Sequence, residues 1–181
     1  MGDQGLIGEG SIKAAVGGPG GTVQLAKDPS KKALSVFVSY CHTDEHMKDQ
    51  LVKHLSPLKR SGLICEWHDR KITGGENFGD AISSNLESAS IILLLVSIDF
   101  INSQYCYDIE MDAALKRHEE KQCLVIPIIL RNCLWQQAPF AKLQALPKDA
   151  RAVSSWPSPD DAYVNIAEGI KTAADKLIAG K

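Results

Sequence analysis

Short apolar runs alternate along the chain with amphipathic segments from residue 33 onward. Two of the runs, 90–97 and 123–130, are almost wholly apolar, which is typical of parallel strands buried on both faces of a sheet. Five strands are predicted, at 34–38, 63–66, 90–97, 123–130 and, on a weaker pattern, 151–154. The alternation predicts an α/β fold, namely a flavodoxin-like, five-stranded parallel sheet with helices on both faces.

The segments between the strands predict four helices with apolar positions at helical spacing. These helices begin near Thr43 or Asp44, near Phe78, at Asn102 or Ser103, and near Pro159. The polar segments 67–77 and 99–103 are predicted as loops, and 131–148 as a long loop with a short helical piece. Residues 1–32 are rich in glycine and predict a flexible arm or linker, which leaves 33–181 as the folded domain.

Composition limits the classes of partner and the compartment. The net charge of -2, with no block of Lys or Arg, argues against nucleic acid or an anionic membrane as the main partner. Five cysteines without a C-x-x-C pair fit buried thiols better than a disulfide framework. No apolar run approaches the roughly 18 residues of a membrane span, so we expect a soluble, cytoplasmic protein.

Several familiar sites are absent from this sequence. The glycines of 17–22 have no P-loop lysine, and the glycines of 5–10 follow no strand. His42 and His46 could share a helix face, but no third zinc ligand is evident, and two surface histidines are the simpler interpretation. A receiver-type phosphorylation domain needs an aspartate at the end of the third strand, where this chain has Ser97.

Glu110 is the acid best placed for chemistry. It lies early on a predicted helix that follows the apolar strand 90–97, near the carboxyl edge of the sheet, where α/β folds bind ligands. A single acid can serve a reaction whose leaving group needs no proton. The alternative interpretation is a solvated helix acid that pairs with Lys116 or Arg117, and Asp108 competes for the same role.

Three motifs resemble one known family, the Toll/interleukin receptor (TIR) domain in its bacterial form. They are FVSYCHTD at 37–44, WHDRKITGG at 67–75 and SQYCYDIE at 103–110. The resemblance covers 33–177 and implies the TIR fold, a five-stranded parallel sheet with flanking helices. TIR domains divide into enzymes that cleave NAD+ and adaptors without activity, and the resemblance makes Glu110 the catalytic residue of an NAD+ nucleosidase.

The resemblance also implies a substrate site around that acid. The segment from Tyr40 to Asp44 would form one wall of the nicotinamide-ribose pocket, and the segment 68–77 would be the family's mobile loop. The implied substrate-binding residues are Tyr40, Cys41, His42, Asp44, Trp67, Phe78, Tyr105 and Trp135. Trp135 would meet the substrate from an adjacent subunit. Tyr40 and Tyr105 could equally be ordinary core or rim aromatics, and Trp135 could simply cap the core.

The implied activity is release of nicotinamide together with ADP-ribose or a cyclic ADP-ribose. NAD+ would be consumed as a substrate, so neither a cofactor nor a metal is expected. The family completes its site by self-association with other TIR domains, under an upstream sensor domain or protein, in bacterial immunity or virulence. The alternative is a non-enzymatic module that makes TIR to TIR contacts as a signalling adaptor or a mimic of a host adaptor.

Overall fold

The computed structural model describes residues 33–72, 84–103 and 109–180, with the backbone alone at 66–72 and 109–110. These residues contain four strands: β1 (Leu34–Cys41), β2 (Ile64–Ile72), β3 (Ile91–Val96) and β4 (Leu124–Ile129). The helices are α1 (Glu45–Arg60), α2 (Ser84–Ser88), α3 (Ile98–Asn102), α4 (Ile109–Glu119) and α5 (Pro159–Ala179). No helix among these residues is long and apolar enough to cross a bilayer.

The strands form one parallel sheet in the order β2-β1-β3-β4. Its two central strands are buried along almost their whole length, as the apolar run of β3 predicts. Val36 pairs with Ile91, and Ile91 pairs with Leu124, so β1, β3 and β4 end at the same edge. That edge carries the polar residues described below.

Each face of the sheet has its own core. Alternate residues of β1 point to opposite faces, so Phe37 and Cys41 join one cluster while Val38 and Tyr40 join the other. The first cluster is covered by α2, α3 and α4, and the second by α1 and α5. The predicted arrangement of helices on both faces is confirmed.

The predicted fifth strand at 151–154 is not a strand. Val153–Ser155 forms a 3-10 turn there, and Ala152 and Val153 are buried as core residues instead. A single residue, Leu146, takes the fifth position of the sheet by forming a parallel bridge with Ile128. Pro147 follows Leu146 and has no N–H, so the ladder does not continue.

The backbone groups on the outer edge of β4 are satisfied or eliminated in three different ways. The backbone N–H of Val125 donates to His118 Nδ1 at 3.1 Å, and Pro127 has no N–H to offer. Leu146 donates to the Pro127 carbonyl and accepts from the Ile129 N–H, both at 2.8 Å. The nitrogen of Pro127 therefore points away from β3, so the missing N–H removes no hydrogen bond between β3 and β4.

Two predicted loops contain regular structure. The predicted loop at 99–103 is largely the helix α3, because the Ser97 hydroxyl caps it by accepting from the Phe100 N–H at 3.1 Å. β2 continues six residues beyond its predicted end at 66, because its backbone stays paired with β1 as far as the pair of Cys41 and Ile72. The predicted arm 1–32 and most of the predicted second helix lie outside the described residues.

Candidate functional site

The carboxyl edge of the sheet gathers polar side chains from the ends of three strands. Asp44 follows β1, Ser97 and Asp99 follow β3, and Arg131 follows β4. Neighbouring parallel strands present such residues at one edge, which is the usual location of ligand sites in open α/β sheets. We call Asp44, Ser97, Asp99 and Arg131 the edge cluster.

Asp44 is the buried acid of the edge cluster. Its side chain is 1% exposed, and its Oδ2 accepts a hydrogen bond of 2.5 Å from the Ser97 hydroxyl. Its Oδ1 accepts from Arg131 Nε at 3.1 Å and lies 2.9 Å from Arg131 Nη2. Protein groups therefore satisfy both oxygens, as a buried carboxylate requires.

Arg131 also binds Asp99, which is more exposed. Arg131 Nη2 donates to Asp99 Oδ2, and the Asp99 side chain is 39% exposed. The hydrogen bond from Arg131 holds the pKa of the Asp99 carboxyl below its usual range. The same bridge raises the pKa of Arg131, so the guanidinium stays charged.

The turn between β1 and α1 presents two exposed side chains. His42–Asp44 is a 3-10 turn in which His42 and Thr43 are exposed while Asp44 is buried. The Thr43 hydroxyl donates to the Cys41 sulfur at 3.5 Å, and His42 Nδ1 lies 3.7 Å from the same sulfur. Cys41 is 5% exposed, so the turn covers a buried thiol.

Two aromatic residues of the predicted pocket pack against the core to different extents. Tyr40 is 2% exposed in the second core cluster, and Lys48 Nζ lies 5.1 Å from the centre of its ring. Trp135 lies in the 3-10 turn Trp135–Gln137 and is half-buried against the first core cluster. Tyr40 thus occupies a core position, whereas part of the Trp135 side chain is exposed to solvent.

Glu110 lies in the first turn of α4. The next residue, Met111, is fully buried in the first core cluster and fixes this end of the helix against the sheet. Trp67 lies within β2, with its backbone beside Val36 of β1. Phe78 and Tyr105 lie outside the described residues, as does the competing acid Asp108.

Comparison with protein families decides the identity of the domain. The family model described as "TIR domain" matches residues 36–167. This chain belongs to the TIR-domain family. The match includes most of β1, the edge cluster and Glu110.

Two known proteins are similar to this TIR domain. "Uncharacterized protein y4lF" of Sinorhizobium fredii (strain NBRC 101917 / NGR234) is 51% identical over 143 residues, which cover 79% of this chain and 44% of the relative. The chain therefore spans less than half the length of that relative. The structure described as the activated Roq1 resistosome directly recognizing the pathogen effector XopQ (TIR domains) is 19% identical, with a TM-score of 0.38, over 81% of this chain and 84% of that chain.

The structure of this TIR domain brings together only some of the predicted site residues. Cys41, His42 and Asp44 are adjacent at the end of β1, and Asp44 contacts Ser97 and Arg131, which the sequence interpretation did not select. Ser97 and Arg131 could have been identified from the sequence, because each is a polar residue directly or shortly after a buried strand. Parallel order places the ends of β3 and β4 beside each other.

A separate groove of about 630 Å³ lies at the opposite end of β4 in the TIR domain. It runs between α4, β4 and α5, and its lining includes His118, Leu124, Lys142, Leu146 and Lys176. None of its lining residues belongs to the edge cluster or to the predicted pocket. The groove therefore lies apart from the candidate site.

Proposed function

We propose that this TIR domain cleaves the bond between nicotinamide and ribose in NAD+, with Glu110 as the catalytic residue. The observation that carries the proposal is the family match over 36–167, which includes a glutamate in the first turn of α4. The products are nicotinamide and ADP-ribose, or a cyclic form of ADP-ribose. The protein acts in the cytoplasm, in bacterial immunity or virulence.

The chemistry requires one carboxylate and no general acid. The bond from ribose C1′ to the ring nitrogen breaks, and its electron pair leaves with nicotinamide, which changes from a cationic to a neutral ring. The ribose is left with an oxocarbenium-like centre, which a nearby carboxylate stabilises, as in glycoside cleavage. Water then adds to C1′ and loses a proton, or a nitrogen of the adenine attacks to close a ring.

NAD+ is consumed in this reaction, so the proposal includes no separate cofactor. The exposed side chains of His42 and Thr43 form one wall of the substrate site, since the turn that carries them lies at the carboxyl edge of the sheet. Trp67, Phe78 and Tyr105 complete the pocket in the proposal. Trp135 reaches it from a second subunit, which makes self-association the step that activates the enzyme.

The test is nicotinamide release from NAD+, measured by chromatography at high protein concentration and with the domain fused to an oligomerising helix. Replacing the acid in Glu110→Ala is expected to lower the rate about 100-fold or more, since a group that stabilises transition-state charge commonly contributes that much. Asp112→Asn is the matched control, because Asp112 is an exposed acid two residues further along α4. It is expected to keep the wild-type rate.

The other outcomes have separate meanings. A loss of activity in Asp108→Asn with an unaffected Glu110→Ala would move the catalytic role to Asp108. No turnover by the clustered wild type would contradict the enzymatic proposal and favour a module that only binds other TIR domains. Circular dichroism of each variant establishes beforehand that the fold is intact.

A further inference from the structure

Arg131 connects the turn after β1 to the strand ends beside it. Through Nε and Nη2 it binds Asp44 Oδ1 at 3.1 and 2.9 Å, and through Nη2 it also binds Asp99. Asp44 is almost fully buried, and Arg131 is the positively charged partner that compensates its carboxylate. Asp99, at the carboxyl end of β3, in turn holds Arg131 from a second strand end.

Arg131 thereby fixes Asp44, the last residue of the turn, and is itself held by Asp99. On the other side of the turn, Cys41 is held by the pairing of β1 with β2. His42 and Thr43 lie between these two anchors, and both are exposed at the carboxyl edge. The turn is therefore fixed in place although its outer side chains face solvent.

Stability alone gives little reason for such a bridge. Burying a carboxylate with its partner costs desolvation energy that the pairing roughly offsets, and apolar residues of similar volume often stabilise a fold as well or better. What a bridged carboxylate provides is one defined geometry. The planar fork of an arginine defines it better than lysine, whose ammonium is a single flexible point charge.

We propose that Arg131 is a positioning residue, which holds the turn of His42 and Thr43 in the geometry that binds the nicotinamide-ribose part of NAD+. This inference rests on the proposed function for its substrate. Arg131 itself acts through Asp44 and Asp99, so its removal moves the pocket wall without removing a group that contacts NAD+.

The experiment compares Arg131→Lys with Arg117→Lys. Arg117 is the matched control, because it is also partly buried and also donates two hydrogen bonds, to the carbonyls of Leu86 and Ala89 at 2.5 and 3.0 Å. Those carbonyls precede β3, at the opposite edge of the sheet from Arg131. Two quantities are measured, the KM and kcat for NAD+ and the alkylation rate of the Cys41 thiol, located by mass spectrometry.

Arg131→Lys is expected to raise the KM for NAD+ about tenfold with a smaller change in kcat, since misplacing a substrate-positioning group has effects of this size or larger. It is also expected to speed alkylation of Cys41, because Thr43 no longer covers the sulfur. Arg117→Lys should change neither quantity. Asp99→Asn, at a half-exposed position, should move both in the same direction by less, and it replaces Arg131→Lys if the latter does not fold.

Three results would overturn the inference. Unchanged KM and unchanged alkylation in folded Arg131→Lys would show that the bridge does not fix the turn. Faster alkylation with unchanged KM would show that the bridge fixes the turn but has no role in binding NAD+. An inert wild type would contradict the proposed function and with it the substrate role, while Cys41 alkylation would still decide whether Arg131 holds the turn.

Discussion

Ser97 joins a buried carboxylate to the start of a helix. Its hydroxyl donates to Asp44 at 2.5 Å and accepts from the Phe100 N–H at 3.1 Å, which caps α3. We predict that Ser97→Ala lowers the free energy of unfolding by about 2–3 kcal/mol. About 1 kcal/mol of this loss is the helix cap, and the rest is the loss of a donor to a buried acid.

The control for this prediction is Ser158→Ala. Ser158 caps α5 by accepting from the Asp161 N–H at 3.4 Å, in an exposed setting. Its loss should cost only about 1 kcal/mol, as an ordinary cap does. Urea denaturation of both variants measures the difference, and equal losses would show that the bond from Ser97 to Asp44 contributes nothing.

At the residue scale, the sequence predicted the location of Asp44 better than its contacts. The position of Asp44 after β1 was sufficient to place it at the carboxyl edge of the sheet. Its bonds to Ser97 and Arg131 could not be predicted, because they join residues 53 and 87 positions apart in the chain. They also depend on side-chain directions that only the packed strands determine.

Leu146 couples the edge of the sheet to α5. Its backbone closes the edge of β4, and its side chain packs against Gly169 so closely that a Cβ added there would lie 2.7 Å from Leu146 Cδ2. Alanine within a helix is otherwise about 1 kcal/mol more favourable than glycine. We predict that Gly169→Ala gains little or destabilises in the wild type but stabilises by about 1 kcal/mol in the Leu146→Ala background.

A double-mutant cycle in thermal or urea denaturation measures this coupling directly. A coupling free energy near zero, with Gly169→Ala equally favourable in both backgrounds, would contradict the close packing of α5 on the bridge residue. Neither position belongs to the candidate site, so nicotinamide release should follow the folded fraction alone.

At the element scale, the four strands of the sheet were predicted, although the end of β2 was placed too early, and the weak fifth strand at 151–154 was wrong. The unbroken apolar runs of β3 and β4 predict buried strands. The alternation at 151–154 is so short that it fits a strand and a buried turn equally well. The sequence of β2 becomes polar after residue 65, so its pairing with β1 as far as Ile72 is set by the neighbouring strand. Propensity could not reveal that extension.

At the scale of the whole molecule, the proposal requires two copies of the domain for one site. Glu110 would come from one subunit and Trp135 from the next. We predict that Glu110→Ala and Trp135→Ala are each inactive when clustered alone, and that mixing them restores part of the wild-type rate of nicotinamide release. Mixed contacts restore it because some of them join an intact Glu110 to an intact Trp135.

The control for this complementation is to mix each clustered variant with the other variant in its folded but unclustered form. A mixture that stays as inactive as its components would show that both residues act within one subunit or that Trp135 supports only the fold. Trp135 packs partly against the first core cluster, so its variant must first be shown to be folded.

The most direct test of catalysis by Glu110 is the rate of nicotinamide release from NAD+ by clustered wild type and by Glu110→Gln, which keeps the size of the side chain and removes its charge. We predict measurable turnover by the wild type and a loss of about 100-fold or more in the variant. Equal turnover by both proteins, each confirmed to be folded, would contradict the assignment of Glu110 as the catalytic carboxylate.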